Sequence, residues 1–250
     1  MLYGVDVSKW QGSIDWKKVK DSNIDFAMIR ASYGLEGVDP NFVTNVRGSN
    51  QVGISAGAYH YSYAKTTEES LREAKHFLKL IERFPFQYPL ALDMEDQSQA
   101  GLGKELLTDI ANVFLTALEQ NGYYAMLYAN KYWLENKFNM ERLKKFDIWL
   151  AEYGVNRVDY DGAIGMWQFT NSGLVDGING YVDRNKSFKD YAKIIREAGL
   201  NHWGENNDMT LEEAKKIIQD KCGFDSNTML YLEFYRYSES MITRLAEAMQ

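Results

Sequence analysis

Over the first 185 residues, short apolar runs rich in β-branched and aromatic side chains alternate with stretches whose apolar positions recur every three or four residues. The runs read as buried strands and the recurring stretches as amphipathic helices. Eight strands are expected, at residues 2–7, 26–31, 54–63, 89–93, 123–128, 148–151, 164–169 and 177–182. Thr66-Thr-Glu-Glu69 has the spacing of a capping box, in which a hydroxyl and a carboxylate satisfy free amide hydrogens at a helix start. Leu71, Ala74, Phe77, Leu78 and Ile81 follow it at helical spacing. Leu106, Ile110, Val113, Phe114, Ala117 and Leu118 mark a second helix, which Gly122 ends as a C-cap. Strands alternating with helices specify a βα barrel or an open α/β sheet. After Tyr128 the helical patterns weaken and the strands crowd together, so an incomplete barrel is expected.

The alternation stops at the polar stretch His202-Trp-Gly-Glu-Asn-Asn-Asp208. Beyond it only helical patterning remains. Thr210-Leu-Glu-Glu213 opens one helix with Leu211, Ala214, Ile217 and Ile218 on a common face. A second helix is expected over 228–237 and a third over 240–249, the last with Met241, Ile242, Leu245, Ala246 and Met249 on one face. Two domains follow: a barrel over 1–200 and a small all-α module over 208–250. About 45 residues bury too little apolar surface to stand easily alone. The module is therefore expected to pack on the barrel, on a copy of itself in a homo-oligomer formed through the C-terminal helices, or on an external ligand.

Composition narrows the function classes. With 45 % apolar and 25 % charged residues in 250, the chain is ordinary globular material. Its net charge of −7 and lack of any Lys/Arg-rich block argue against nucleic acid as a partner, because phosphate binding needs a basic stripe. No segment approaches the roughly 18 consecutive apolar residues of a membrane span, and no basic region followed by an apolar one opens the chain as a signal peptide. Cys222, the single cysteine, allows no intramolecular disulfide, and its place at the end of an amphipathic run predicts a small buried hydrophobe. His60, His76 and His202 lack metal-ligand spacing. Asp21-x-Asn23-x-Asp25 begins like a calcium loop but carries Phe26 where glycine is needed and Ser32 where glutamate is needed. No metal or other cofactor is expected.

The candidate chemistry lies in Tyr88-Pro-Leu-Ala-Leu-Asp-Met-Glu-Asp96, a buried strand that ends in acids. Side chains at i and i+2 of a strand share a face, so Asp93 and Glu95 are aimed at one point. Glycosidases need two carboxyl groups in different protonation states beside the scissile bond. The competing reading is a loop in which Asp93 caps a turn and Glu95 is solvated. In a βα barrel the chemistry sits at the C-terminal ends of the strands. Asp6 closes the first expected strand and Asp183 the last, and in a closed barrel those two strands adjoin. Each could instead be an N-cap, Asp6 of the following turn and Asp183 of a helix near Lys186. Taken together, the four acids are expected to converge on one cleft. Tyr61, Tyr63, Tyr128 and Trp167 lie near strand ends, where rings can stack on the apolar faces of sugars, with core packing as the alternative for each.

The opening run Tyr3-Gly-Val-Asp-Val-Ser-Lys-Trp-Gln-Gly-Ser-Ile-Asp-Trp16 resembles that of glycoside hydrolase family 25, the muramidases often called Chalaropsis-type lysozymes. Further matches follow in the family's order: Phe26-Ala-Met-Ile-Arg-Ala-Ser32, Gly57-Ala-Tyr-His-Tyr61, Leu92-Asp-Met-Glu95, Leu127-Tyr-Ala-Asn130, Trp149-Leu-Ala-Glu-Tyr153, Met166-Trp-Gln-Phe-Thr170 and Val182-Asp-Arg-Asn185. The resemblance covers about residues 1–196 and implies an irregular TIM-like (β/α) barrel of eight strands with about five regular helices. It implies bacterial peptidoglycan as the partner, cleaved at the β-1,4 bond between N-acetylmuramic acid and N-acetylglucosamine. Glu95 is then the general acid, Asp93 and Asp183 orient the 2-acetamido group and stabilise positive charge, and Asp6 holds the network in its charge state. The i, i+2 spacing lies between the separations of retaining and inverting pairs; the resemblance implies retention with substrate assistance. A phage endolysin released from the cytoplasm by a holin fits the missing signal peptide, and a bacterial autolysin is the alternative origin. The rival functions are a carbohydrate-binding barrel without catalysis and an amidase or peptidase of the same polymer.

Overall fold

The computed structural model describes residues 1–203, 211–225, 228–229, 242–243, 245–246 and 249. The chain divides into two compact units, Met1–Gly204 and Glu205–Gln250. The first unit holds nine strands: β1 (Leu2–Val7), β2 (Phe26–Tyr33), β3 (Gly37–Val38), β4 (Ser55–Tyr61), β5 (Leu90–Asp93), β6 (Ala125–Asn130), β7 (Asp147–Ala151), β8 (Met166–Gly173) and β9 (Val182–Ser187). Its helices are α1 (Trp16–Asp21), α2 (Phe42–Gln51), α3 (Thr67–Ile81), α4 (Lys104–Gln120), α5 (Lys131–Asn136), α6 (Met140–Leu143) and α7 (Tyr191–Ala198). Eight strands close into a barrel, because β1 pairs with both β2 and β9; β3 adds to the outer edge of β2.

Period-two alternation divides the apolar residues between two cores. Ala27, Ile29, Leu90, Leu92, Leu127, Ile148 and Leu150 point outward and pack with Phe77, Ile81, Ile110, Phe114 and Leu118 of α3 and α4. Phe26, Met28, Ala91, Met126, Trp149 and Met166 point inward and fill the barrel with Tyr59, Tyr88 and Tyr128. The expected start of α3 is present: Thr66 Oγ1 accepts from the Glu69 amide at 3.1 Å, while Glu69 Oε2 accepts from the Lys65 amide at 2.7 Å. Gly122, with φ of 79°, follows the end of α4 in the left-handed conformation that glycine adopts without steric cost.

The last strand departs from expectation. It occupies Val182–Ser187, not 177–182, and runs antiparallel to both β8 and β1. Residues 174–181 join β8 to β9 without a helix; so short a link cannot make the crossover that a parallel partner requires. A strand of sequence Val-Asp-Arg-Asn-Lys-Ser also carries almost no apolar signal, which is why pattern reading placed it upstream.

In the second unit, α8 (Leu211–Cys222) presents Ala214 and Ile218 to a small core with Met229, Ile242 and Ala246, and Ile217 and Met249 lie against it. Cys222 was expected to be buried but is exposed, because it is the last residue of α8, where the apolar face ends. Its thiol lies 3.8 Å from Met249 Sδ. The expected helix start at Thr210, residues 230–237 of the second expected helix, and Met241 fall outside the described residues. Among the described residues no helix is long and apolar enough to cross a membrane.

Candidate active site

Antiparallel β9 explains how an acid at the start of a strand joins acids at the ends of others. The N-terminal end of β9 lies at the same rim as the C-terminal ends of the parallel strands, and Asp183 pairs directly with Asp6 of β1. Asp93 ends β5 facing inward, since Leu90 and Leu92 face out. Glu95 follows two residues later, and all four acids line one cleft of about 290 Å³. Asp6 and Asp93 are buried, while Glu95 and Asp183 are half-buried.

Burial sets the charge state of this cluster. Removing a carboxylate from water disfavours its charged form, and a second carboxylate nearby does so again. Burial, then the charge of Asp183, push Asp6 well above the usual carboxylate range, against the pull of hydrogen bonds from Asn185 and Gln168. Asp93 is pushed well up by burial and by Glu95 and Asp6, with Arg30 opposing. Glu95 is raised by burial, partly offset by a hydrogen bond from Asn130, and raised further by Asp183 and Asp96. Asp183 is raised by burial while a hydrogen bond from Asp6 pulls it down. Mutually opposed acids of this kind can hold a proton for transfer beside a carboxylate that stays charged, which is the division of labour glycosidic cleavage needs.

Two of the four expected aromatic contacts line the cleft. Tyr61 ends β4 and donates to Asp96 Oδ2 at 3.0 Å; Tyr128 on β6 donates to Gln168 Oε1 at 2.9 Å. Tyr63 and Trp167 do not line it. Tyr63 lies beyond the end of β4, is 45 % exposed, and meets Tyr61 edge to face at 5.1 Å. Trp167 is only 3 % exposed: its neighbour Gln168 faces inward, so alternation along β8 sends the indole outward, where it donates to the Glu152 carbonyl at 2.8 Å under the Lys186 ammonium.

Pattern reading missed Trp10, Arg30, Tyr59, Trp149, Tyr153 and Gln168, all of which line the cleft. The signal was available for some. Tyr59 and Trp149 share strand faces with Tyr61 and Ala151, and Arg30 interrupts the apolar run of β2. The Arg30 guanidinium is held by Asp39, which sits 2.8 Å from Nη2 and also accepts from the Lys9 amide at 3.0 Å. Trp10 lines the cleft and is 75 % exposed, so its ring is open to solvent. Among the described residues no group of three or more His, Cys, Asp or Glu side chains is arranged to hold a metal ion.

A family model described as "Glycosyl hydrolases family 25" matches residues 5–178. The chain is 34 % identical over 194 residues to the uncharacterized protein YegX of Escherichia coli O6:H1, covering 74 % of this chain and 68 % of that one. It is 30 % identical over 184 residues to the autolytic lysozyme of Clostridium acetobutylicum, covering 73 % of this chain and 54 % of that one. Among solved structures, the CTP1L endolysin superposes with a TM-score of 0.71 at 27 % identity, over 79 % of this chain and 70 % of that one.

Proposed function

The chain belongs to glycosyl hydrolases family 25, and from that premise we propose that it is an N-acetylmuramidase cleaving peptidoglycan with retention through its substrate's own acetamido group. The observation that carries the reading is the meeting of Asp6, Asp93, Glu95 and Asp183 in one cleft, with Glu95 half-buried beside Asp183 and Asp96. Glu95 gives its proton to the glycosidic oxygen as the bond from N-acetylmuramic acid to N-acetylglucosamine breaks. Asp93 accepts the acetamido N–H; its Oδ1 is buried and has no hydrogen-bond partner among the described residues, which suits an acceptor reserved for a ligand. The acetamido oxygen then attacks the anomeric carbon, and the charged carboxylate of Asp183 stabilises the positive ring so formed. Glu95, now ionised, takes a proton from water as the water opens that ring, and the starting protonation is restored. Two displacements at one carbon leave its configuration unchanged.

The Glu205–Gln250 unit we assign to wall binding or self-association, separate from the chemistry. Proton NMR of a soluble muropeptide during the first turnovers tests the mechanism. The first-formed reducing sugar should be the β-anomer, and a glycan stripped of its N-acetyl groups should resist cleavage. An α-anomer, or equal cleavage of the stripped glycan, would remove the acetamido group from the mechanism.

A further inference from the structure

Two chains of hydrogen bonds cross the barrel interior and end on the same oxygen of Asp6. The Trp149 indole donates to Asn185 Oδ1 at 2.8 Å, and Asn185 Nδ2 donates to Asp6 Oδ2 at 2.8 Å. From the other side, the Tyr128 hydroxyl at 2.9 Å and the Tyr153 hydroxyl both donate to Gln168 Oε1, whose Nε2 donates to Asp6 Oδ2 at 2.8 Å. An indole N–H is a donor only. The Asn185 atom it meets is therefore the oxygen, and the amide's NH2 is left facing Asp6. The two phenol hydroxyls meet the Gln168 oxygen, and the NH2 of that amide faces Asp6 as well.

Asp6 Oδ2 is thereby an acceptor with both lone pairs taken, and the contact with Asp183 falls to Oδ1. Asp183 faces Asp6 across the β1–β9 pairing, and two carboxyl groups so placed share a hydrogen bond only when one of them carries the proton. The remaining titratable groups around Asp6 are Asp93, Tyr59, Tyr128 and Tyr153. None of them brings a positive charge, and the Arg30 guanidinium is engaged by Asp39. Burial and the Asp183 charge both favour the proton on Asp6, and the bond that Asp183 receives favours its charged form.

We propose that Gln168 and Asn185 are positioning residues: by anchoring Oδ2 of Asp6 they turn its protonated Oδ1 to Asp183 and keep Asp183 the ionised partner. This deepens the muramidase reading and rests on it for the role of Asp183. Gln168→Met and Asn185→Leu each remove one anchor. In steady-state assays on a soluble muropeptide, kcat should fall about 10- to 100-fold while KM changes little. The acid limb of the kcat profile should move to higher pH, because Asp183 without its donor protonates more readily. Adding Asp6→Asn to Gln168→Met should return that limb to its original position, since the new amide still has an oxygen for Asn185 and an NH2 for Asp183. A general packing defect would lower kcat without moving the limb, and that result overturns the proposal.

An infrared difference spectrum of the otherwise unaltered full chain against its Asp6→Asn variant, at about pH 7, supplies a readout that needs neither activity nor the anchor variants. The variant should lack one protonated-carboxyl stretch, and a spectrum without that loss contradicts the proposal. Absence of glycan cleavage by the unaltered chain would instead sink the muramidase reading and leave the infrared result standing.

Discussion

Asp6 and Asp183 face each other across the antiparallel β1–β9 pairing, one on the first strand of the barrel and the other at the start of the strand that closes it. Closure of the sheet brings these two acids together. The charge cluster is accordingly a product of the completed fold, and at neutral pH it opposes that fold, because each raised carboxyl holds its proton to a higher pH in the native state than in the unfolded chain.

Asp6→Asn should therefore be more stable than the parent at neutral pH. The folded value of Asp6 lies well above the ordinary one, so its contribution to stability is complete below the unfolded carboxylate value and is lost as pH rises toward the folded one. Melting curves should show the variant higher at about pH 7 and the two proteins together near about pH 3. Equal melting temperatures at both pH values would contradict the assigned environment of Asp6.

The general-acid role of Glu95 predicts a basic limb of activity, since the proton it donates is lost as pH rises through its raised value. Two neighbours should move that limb in opposite directions. Asp96→Asn removes a charge that raises Glu95, so the limb should shift to lower pH. Asn130→Ser removes an amide donor that favours the ionised form while keeping an oxygen to cap α5, so the limb should shift to higher pH. Shifts in the same direction, or none, would mean that another group controls the limb.

Much of this was legible in the chain before folding. Leu90, Leu92, Leu127, Ile148 and Leu150 announce buried strands, and the position of Asp93 and Glu95 at a strand end announces paired acids. Strand β9 was not legible, because Asp183, Arg184, Asn185 and Lys186 are polar and their alternation is set by the cleft and by cation-aromatic contacts on the outer face. Gln168 and Asn185 were invisible for a related reason. A buried amide gains its role only from partners on β1, β6 and β7, which no local pattern encodes.

Truncation after Gly204 should leave a folded enzyme that cleaves soluble muropeptides, because the cleft and every barrel strand lie within Met1–Gly204. Lysis of whole walls should drop much further than hydrolysis of fragments. Truncation after Leu200 should be less stable, since Asn201 is buried, donates to the Phe86 and Tyr88 carbonyls and accepts from the Tyr124 amide. Each polar group left without its partner costs about 1–3 kcal/mol. Chemical denaturation of the two truncated proteins measures the difference, and unfolding of the longer one would show that the tail belongs to the barrel's packing.

Neither chelation nor thiol alkylation should alter turbidity loss on purified walls, because the proposed steps use carboxyl groups alone and Cys222 is exposed at the end of α8. Activity that EDTA removes and zinc or calcium restores would replace the acid mechanism with a metal-assisted one.

The most direct test of the central claim is the identity of the reducing ends released from purified peptidoglycan. After borohydride reduction and acid hydrolysis, digestion by the full chain should yield muramicitol, and Glu95→Gln should lower its rate of formation by about 10²- to 10⁴-fold with the fold intact. Glucosaminitol in its place, new amino groups without new reducing ends, or a Glu95→Gln variant retaining more than about a third of the activity would contradict the account.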